Sequence, residues 1–159
     1  MRGLALALAF AAAPAAAQDV RDALRIGDLV CEFPDPGGRS LIEGMLEAPR
    51  PEPMLLVYES VTAASAQVLS SHAPGRREVQ VRATDAAVHF IERVGPSVRV
   101  TTLTGCERRT ERRGSMTCVR FAARHAWHFD ARATSDPDGA YAALPSGAAR
   151  GRCEPWQVE

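Results

Sequence analysis

A dense cluster of arginines lies between residues 107 and 113, in the order Glu-Arg-Arg-Thr-Glu-Arg-Arg. Such a cluster could clamp a phosphate, a sulfate or an acidic partner, because a planar guanidinium donates two parallel hydrogen bonds to these anions. Glu107 and Glu111 offset half of the charge, so a solvated segment with internal ion pairs is the competing interpretation. The candidate anion-binding residues are Arg108, Arg109, Arg112 and Arg113.

A second candidate is the pair His125 and His128, which is followed by Asp130. The H-x₂-H spacing can hold zinc or copper when the chain is helical or turned. On a strand, however, residues three apart face opposite sides of the sheet. Residues 116–126 alternate as a strand with the odd positions on the core face, which favours a buried, satisfied His125.

The same alternation places two arginines on the outer face of this strand. Arg120 and Arg124 occupy even positions, opposite the apolar positions of the segment. They are further candidates for contact with an anionic ligand or an acidic partner.

Four common catalytic and nucleotide-binding motifs do not occur in the chain. G-x-S-x-G, H-E-x-x-H, the P-loop and G-x-G-x-x-G are all absent from the sequence. Asp136-x-Asp138-Gly139 resembles a fragment of a calcium loop without its later acceptors, and turn chemistry explains it better. We therefore expect no catalytic residues and no cofactor. Equal numbers of acidic and basic residues, 19 of each, argue against nucleic-acid binding.

The N-terminus has the features of a secretory signal peptide. Arg2 supplies the positive region, Leu4 to Ala12 are apolar, and Ala15 to Ala17 fit the small-residue cleavage pattern. We predict a signal peptide over 1–17 and a single domain over 18–159. No later apolar run is long enough for a transmembrane helix. A periplasmic or secreted protein is expected.

Four cysteines follow the predicted cleavage site. An even number of cysteines in an exported chain indicates two disulfides, and four cysteines allow three pairings. We favour Cys106–Cys118, which closes a short local loop, and Cys31–Cys153, which ties the first strand to the tail. None of the spacings is C-x₂-C, so zinc binding by these cysteines is disfavoured.

Short alternating segments predict the elements that position these residues. Val98 and Val100 are expected to face the core and Arg99 the solvent, residues 106–115 are expected to form a charged loop, and the tail is expected to be irregular. Residues 65–70 are predicted to form a strand, with a short helix as the alternative. With turn signals about every ten residues, six or seven strands predict an all-β fold, a small antiparallel β-barrel or β-sandwich. The predicted strands are 28–33, 54–61, 65–70, 78–82, 87–93, 97–104 and 116–126.

Five short segments of the sequence are similar to segments of another group of proteins. The segments are Cys31-Glu-Phe33, Val88-His-Phe-Ile91, Val100-Thr-Thr102, Ala123-Arg-His125 and Gly151-Arg-Cys153. With its C-x-F start, its Arg-His pair after a late strand and its G-x-C end, the layout resembles small uncharacterised exported proteins of Gram-negative bacteria. The resemblance implies the Cys31–Cys153 bridge and makes Arg124 and His125 worth testing. Cys106 and Cys118 lie outside it, and it implies no reaction.

Three functions are compatible with these observations. The favoured one is an exported, non-catalytic binding module that takes a small ligand in a barrel mouth or makes an inhibitor-type contact with a protein. The second is a metal carrier or metal-dependent hydrolase that uses His125 and His128. The third is a structural protein of the cell envelope.

Overall fold

The computed structural model describes residues 20–34, 53–71, 73–94, 97–112, 114–129 and 147–156. Within these ranges the chain forms one short helix and eight strands. The predicted signal peptide, Asp130, the Asp136–Gly139 turn and Arg113 lie outside the described residues. The elements are α1 (Ala23–Ile26), β1 (Leu29–Phe33), β2 (Met54–Glu59), β3 (Ser65–Ser70), β4 (Ala73–Ala83), β5 (Val88–Val94), β6 (Ser97–Arg112), β7 (Ser115–Phe129) and β8 (Gly147–Pro155).

The eight strands form a closed barrel in which every strand is antiparallel to its neighbours in sequence. β1 closes the barrel by pairing with both β2 and β8, so that Cys31 lies opposite Leu56 on one side and Cys153 on the other. The all-β prediction is confirmed, and of the two predicted architectures the barrel is the one observed. Residues 65–70 form a strand and not a helix.

The predicted count of six or seven strands was too low, because the tail contributes β8. The tail has no large apolar residue at its inward positions, where Gly147, Ala149 and Gly151 alternate with outward polar or small residues. A Cβ atom at Gly147 would overlap the indole of Trp127, and one at Gly151 would overlap the backbone carbonyl oxygen of Glu32 and the Phe33 ring. Small residues in β8 thus make room for large rings on the neighbouring strands. Because its inward residues are small, β8 lacks the alternation of large apolar residues by which a strand is predicted from sequence.

The predicted loop over residues 106–115 was also wrong. β6 and β7 continue to pair through this segment, whereas β5 pairs with β6 only as far as Leu103 and β8 pairs with β7 only as far as Phe121. The hairpin therefore extends beyond the barrel as a two-stranded ribbon. Residues of both signs are exposed along it, so no apolar alternation marks it as strand.

Both favoured disulfides are present. Cys31 and Cys153 lie opposite each other on β1 and β8, with their Cα atoms 4.0 Å apart. Cys106 and Cys118 join the two strands of the ribbon, with a Cα–Cα distance of 5.8 Å. One bridge therefore holds the seam where the barrel closes, and the other holds the base of the ribbon.

α1 and residues 20–22, which precede it, close one end of the barrel. Val20 and Ala23 are buried in the core cluster. Asp22 is buried as well, and its Oδ2 accepts a hydrogen bond of 3.0 Å from the backbone N–H of Cys118. The polar interior described below lies toward the opposite end, where β1 and β7 end and β2 and β8 begin.

The inward face of β6 is the opposite of the one predicted. Thr101 and Leu103 are buried, so the residues that alternate with them, Val98 and Val100, lie on the outer wall. Arg99 instead shares the inward face. The prediction was wrong because it assigned the most apolar residues to the interior, whereas this part of the interior is polar.

Candidate binding site inside the barrel

Three buried polar side chains from three different strands form a hydrogen-bonded chain in the interior. The Tyr58 hydroxyl donates to Thr101 Oγ1 over 2.6 Å, and Thr101 Oγ1 lies 2.8 Å from His125 Nδ1. Thr101 Oγ1 can donate its own proton to Nδ1 or accept the Nδ1 proton of the other His125 tautomer, so the tautomer sets the direction of this contact.

A buried carboxylate lies one layer further from α1. Glu92 is 6% exposed and forms an ion pair with the Arg77 guanidinium. Arg99, which lies directly opposite Glu92 in the β5–β6 register, places Nη1 3.9 Å from the same carboxylate. Two guanidinium groups therefore contact one carboxylate in the barrel interior.

Burial and charge keep the two ring groups of the interior neutral. Desolvation, helped by the nearby Arg99 charge, lowers the pKa of His125 to about 4. Desolvation also raises the pKa of Tyr58 well above its usual value, although the Thr101 hydrogen bond opposes the shift. Among the described residues of this interior, Arg77 and Arg99 carry positive charge and Glu92 carries negative charge, which leaves one positive charge in excess.

One guanidinium nitrogen of this cluster is buried without a hydrogen-bond acceptor. Arg77 donates from Nε to Glu92 and from Nη1 to the Pro74 carbonyl, but its Nη2 has no partner in the described part of the chain. An unsatisfied buried donor costs free energy, so it favours any ligand that brings an acceptor.

Aromatic rings line the same part of the interior. Trp127 lies opposite Arg99 in the β6–β7 register, and its ring centroid is 6.0 Å from that of His125. The centroid of the Phe33 ring lies 5.5 Å from that of His125. Charged groups and flat apolar surfaces therefore occur together, as they do in sites for small amphipathic molecules.

The structure separates the two histidines that were candidates for a metal site. His125 is buried on the inward face, as predicted, and its Nδ1 is engaged by Thr101. His128, three residues further along β7, is exposed. Among the described residues no group of three or more histidine, cysteine or carboxylate side chains could hold a metal ion.

The candidate arginines do not form one cluster. Arg108 and Arg120 lie on neighbouring strands and both contact Glu154, at 3.5 and 2.5 Å. Arg109 is exposed on the ribbon, and only the backbone of Arg112 is described. Arg124 is exposed on the outer wall, where it lies opposite Arg150 of β8.

The residues that form the interior site were missed in the sequence. Glu92 carried a usable signal, because it lies in phase with the core residues Val88 and Phe90 on the same strand. A carboxylate on the buried face of a strand needs a cation nearby, and Arg77 and Arg99 lie on the two adjoining strands.

Other features of the described residues add little to this site. An open depression of about 380 Å³ on the outer wall is lined by Ala64, Ser65, Glu78, Gln80, Ile91 and Arg93. No described helix is long and apolar enough to cross a membrane. No family model, curated protein or solved structure matches the chain.

Proposed function

We propose that this chain is an exported binding protein that holds a small molecule with a carboxylate and an apolar body inside the barrel. The carboxylate would lie between Arg77 and Arg99, and the apolar body would lie against Trp127 and Phe33. The predicted signal peptide and the two disulfides support export to an oxidising compartment.

The excess guanidinium charge in the interior carries this proposal. A barrel that needed only to be stable would fill this space with apolar side chains, since a buried ion pair is seldom worth more than a well-packed apolar replacement. Here two arginines share one glutamate, and Arg77 Nη2 is a buried donor without an acceptor. A ligand carboxylate supplies both the missing charge and the missing acceptor.

The size of the barrel is consistent with such a ligand. Eight-stranded barrels have an interior that side chains can fill or that can hold one small molecule. The end near α1 is filled by the apolar core, whereas the side chains of Arg77 and Arg99 keep 21% and 33% of their surface exposed. We expect a ligand to approach these side chains from the end opposite α1 and to reach the buried Arg77 Nη2 by displacing the side chains around it.

The test uses Trp127 as a fluorescent reporter. The chain has two tryptophans, so the Trp156→Phe variant leaves Trp127 alone. Decanoate and decanol are titrated as a matched pair with and without the carboxylate. We expect decanoate to saturate the fluorescence change and to bind at least tenfold more tightly than decanol.

Two arginine variants identify the group responsible. Arg99→Gln is expected to weaken decanoate binding about tenfold, in line with the loss of one charge-assisted hydrogen bond. Arg93→Gln removes an exposed arginine from the outer face of the paired strand and serves as the control. If Arg99→Gln and Arg93→Gln bind decanoate equally, or if neither probe saturates, the proposed function is wrong. Near-ultraviolet circular dichroism confirms that each variant is folded.

A further inference from the structure

The outer wall formed by β6, β7 and β8 carries two rows of residues with different chemistry. In the first row, Arg124 lies opposite Arg150 on one side and Thr102 on the other. In the second row, one step along the strands, Ala126 lies between Val100 and Ala148. A basic row therefore runs beside an apolar row on the same surface.

The two arginines of this wall have no counter-charge within the described residues. Arg124 and Arg150 are exposed and directly opposed on adjacent antiparallel strands, where side chains are about 5 Å apart at Cβ. Like charges in this arrangement destabilise the sheet. The other outward arginines of the same two strands differ, because Arg120 pairs with Glu154 and Arg152 pairs with Glu32.

We propose that this wall docks an acidic, extended segment of a protein partner. One carboxylate of the segment would bridge Arg124 and Arg150, and its apolar side chains would cover Val100, Ala126 and Ala148. The bound carboxylate would remove the repulsion between the two arginines, so the interaction that costs stability in the unbound protein favours the complex.

The composition of the wall favours a protein segment over a lipid surface. Membrane-surface elements present large apolar residues such as tryptophan, phenylalanine and leucine beside their cations. This wall presents valine and alanine, and the large exposed apolar residues of the described chain, Leu55, Met116 and Trp156, lie elsewhere. The barrel wall also curves away from any flat surface, because eight strands complete one circuit around the barrel axis.

A second copy of the chain is a poor occupant for the same wall. A two-fold contact would place identical patches against each other. Two patches that both carry Arg124 and Arg150 offer each other no carboxylate from these rows, so the contact lacks charge complementarity.

The test measures binding of a fluorescein-labelled peptide, (Glu-Val)₄, by fluorescence anisotropy in low salt. The Arg124→Gln/Arg150→Gln double variant is expected to bind at least tenfold more weakly than the parent protein. The matched control is Arg120→Gln/Arg152→Gln, which removes two arginines from the same strands, and it is expected to lose no more than threefold. The peptide (Gln-Val)₄ is expected to show no saturable binding.

Vesicles of phosphatidylcholine with phosphatidylglycerol test the lipid alternative. If the vesicles, but not (Glu-Val)₄, lose binding in the Arg124→Gln/Arg150→Gln variant, the surface recognises anionic lipid and the proposal is overturned. The proposal is also overturned if both double variants bind the peptide equally, or if neither the peptide nor the vesicles bind. The decanoate titration is independent of these residues, so the two proposals can fail separately.

Discussion

Thr101 Oγ1 lies 2.8 Å from His125 Nδ1 in the buried interior of the barrel, and the Tyr58 hydroxyl donates to the same oxygen over 2.6 Å. One hydroxyl therefore contacts both rings. It satisfies the Tyr58 hydroxyl and His125 Nδ1 in a place that water does not reach.

His125 is expected to make stability depend on pH. Its pKa is about 4 in the folded protein and about 6.5 in the unfolded chain, so the unfolded chain binds more protons between these values. The free energy of unfolding should therefore fall as the pH drops below 6.5. The loss attributable to His125 between pH 7.5 and pH 5 is about 2 kcal/mol.

Urea unfolding at half-unit pH steps measures this dependence. His125→Asn keeps an acceptor near the Thr101 hydroxyl and removes the titrating ring. The variant should lose less stability than the parent protein over the same pH range, whatever its stability at pH 8. Parallel curves for the two proteins would show that His125 does not carry the effect.

Replacing Thr101 should cost more than replacing Tyr58. Thr101→Val removes the shared hydroxyl and leaves both a phenol and an imidazole nitrogen buried without a partner, at a cost of about 2–4 kcal/mol. Tyr58→Phe removes one donor and leaves the Thr101–His125 contact in place, at a cost of about 1 kcal/mol. Urea midpoints give the comparison, with Thr104→Val as the control because Thr104 is exposed on β6.

The opposite order of these two variants would contradict the hydrogen-bond chain. The double variant Tyr58→Phe/Thr101→Val adds a second check. It should be less destabilised than the sum of the two single variants, because the phenylalanine no longer brings an unsatisfied donor.

The strand pattern predicted the barrel walls but not what fills them. Where the inward residues are apolar, as at Val79 and Val81, alternation identified the correct face. It failed at β6, where Thr101 is inward and Val100 is outward, because hydrophobicity marks the interior only when the interior is apolar. It failed at β8 because the inward residues of β8 are small and leave room for the rings of Trp127 and Phe33 on neighbouring strands. Neither fact is visible in a single strand.

Glu92 should be the most sensitive charged residue of the barrel. Glu92→Gln leaves Arg77 and Arg99 without their carboxylate, and breaking a buried ion pair costs several kcal/mol. We expect about 3 kcal/mol, since both arginine side chains keep some exposure to water. The same variant should bind decanoate more tightly, because the ligand no longer competes with Glu92 for the guanidinium groups.

Unfolding in urea and the decanoate titration test the two halves of this prediction together. Glu78→Gln, which changes an exposed carboxylate on β4, is the control for both measurements. A Glu92→Gln protein that is destabilised but binds decanoate no better would place the carboxylate away from the ligand.

The two disulfides should contribute unequally to stability. The Cys31–Cys153 bridge spans 122 residues and the Cys106–Cys118 bridge spans 12. Chain entropy alone gives about 5 kcal/mol for the long loop and about 3 kcal/mol for the short one. We therefore expect Cys31→Ala/Cys153→Ala to lower the urea midpoint more than Cys106→Ala/Cys118→Ala. Equal losses would mean that the long bridge does not stabilise the protein mainly by restricting the unfolded chain.

Replacing one of the opposed arginines of the outer wall is expected to raise the free energy of unfolding, unlike the substitutions above. Arg150→Gln removes one of two like charges on neighbouring strands, so it should raise the free energy of unfolding by about 0.2–0.5 kcal/mol in low salt. Arg152→Gln, two residues further along β8, breaks the ion pair with Glu32 and should give no gain. The gain at Arg150 should shrink in 0.5 M salt, because salt screens exposed charges. A loss of stability on replacing Arg150 would mean that this guanidinium is held by favourable contacts and is not kept for a partner.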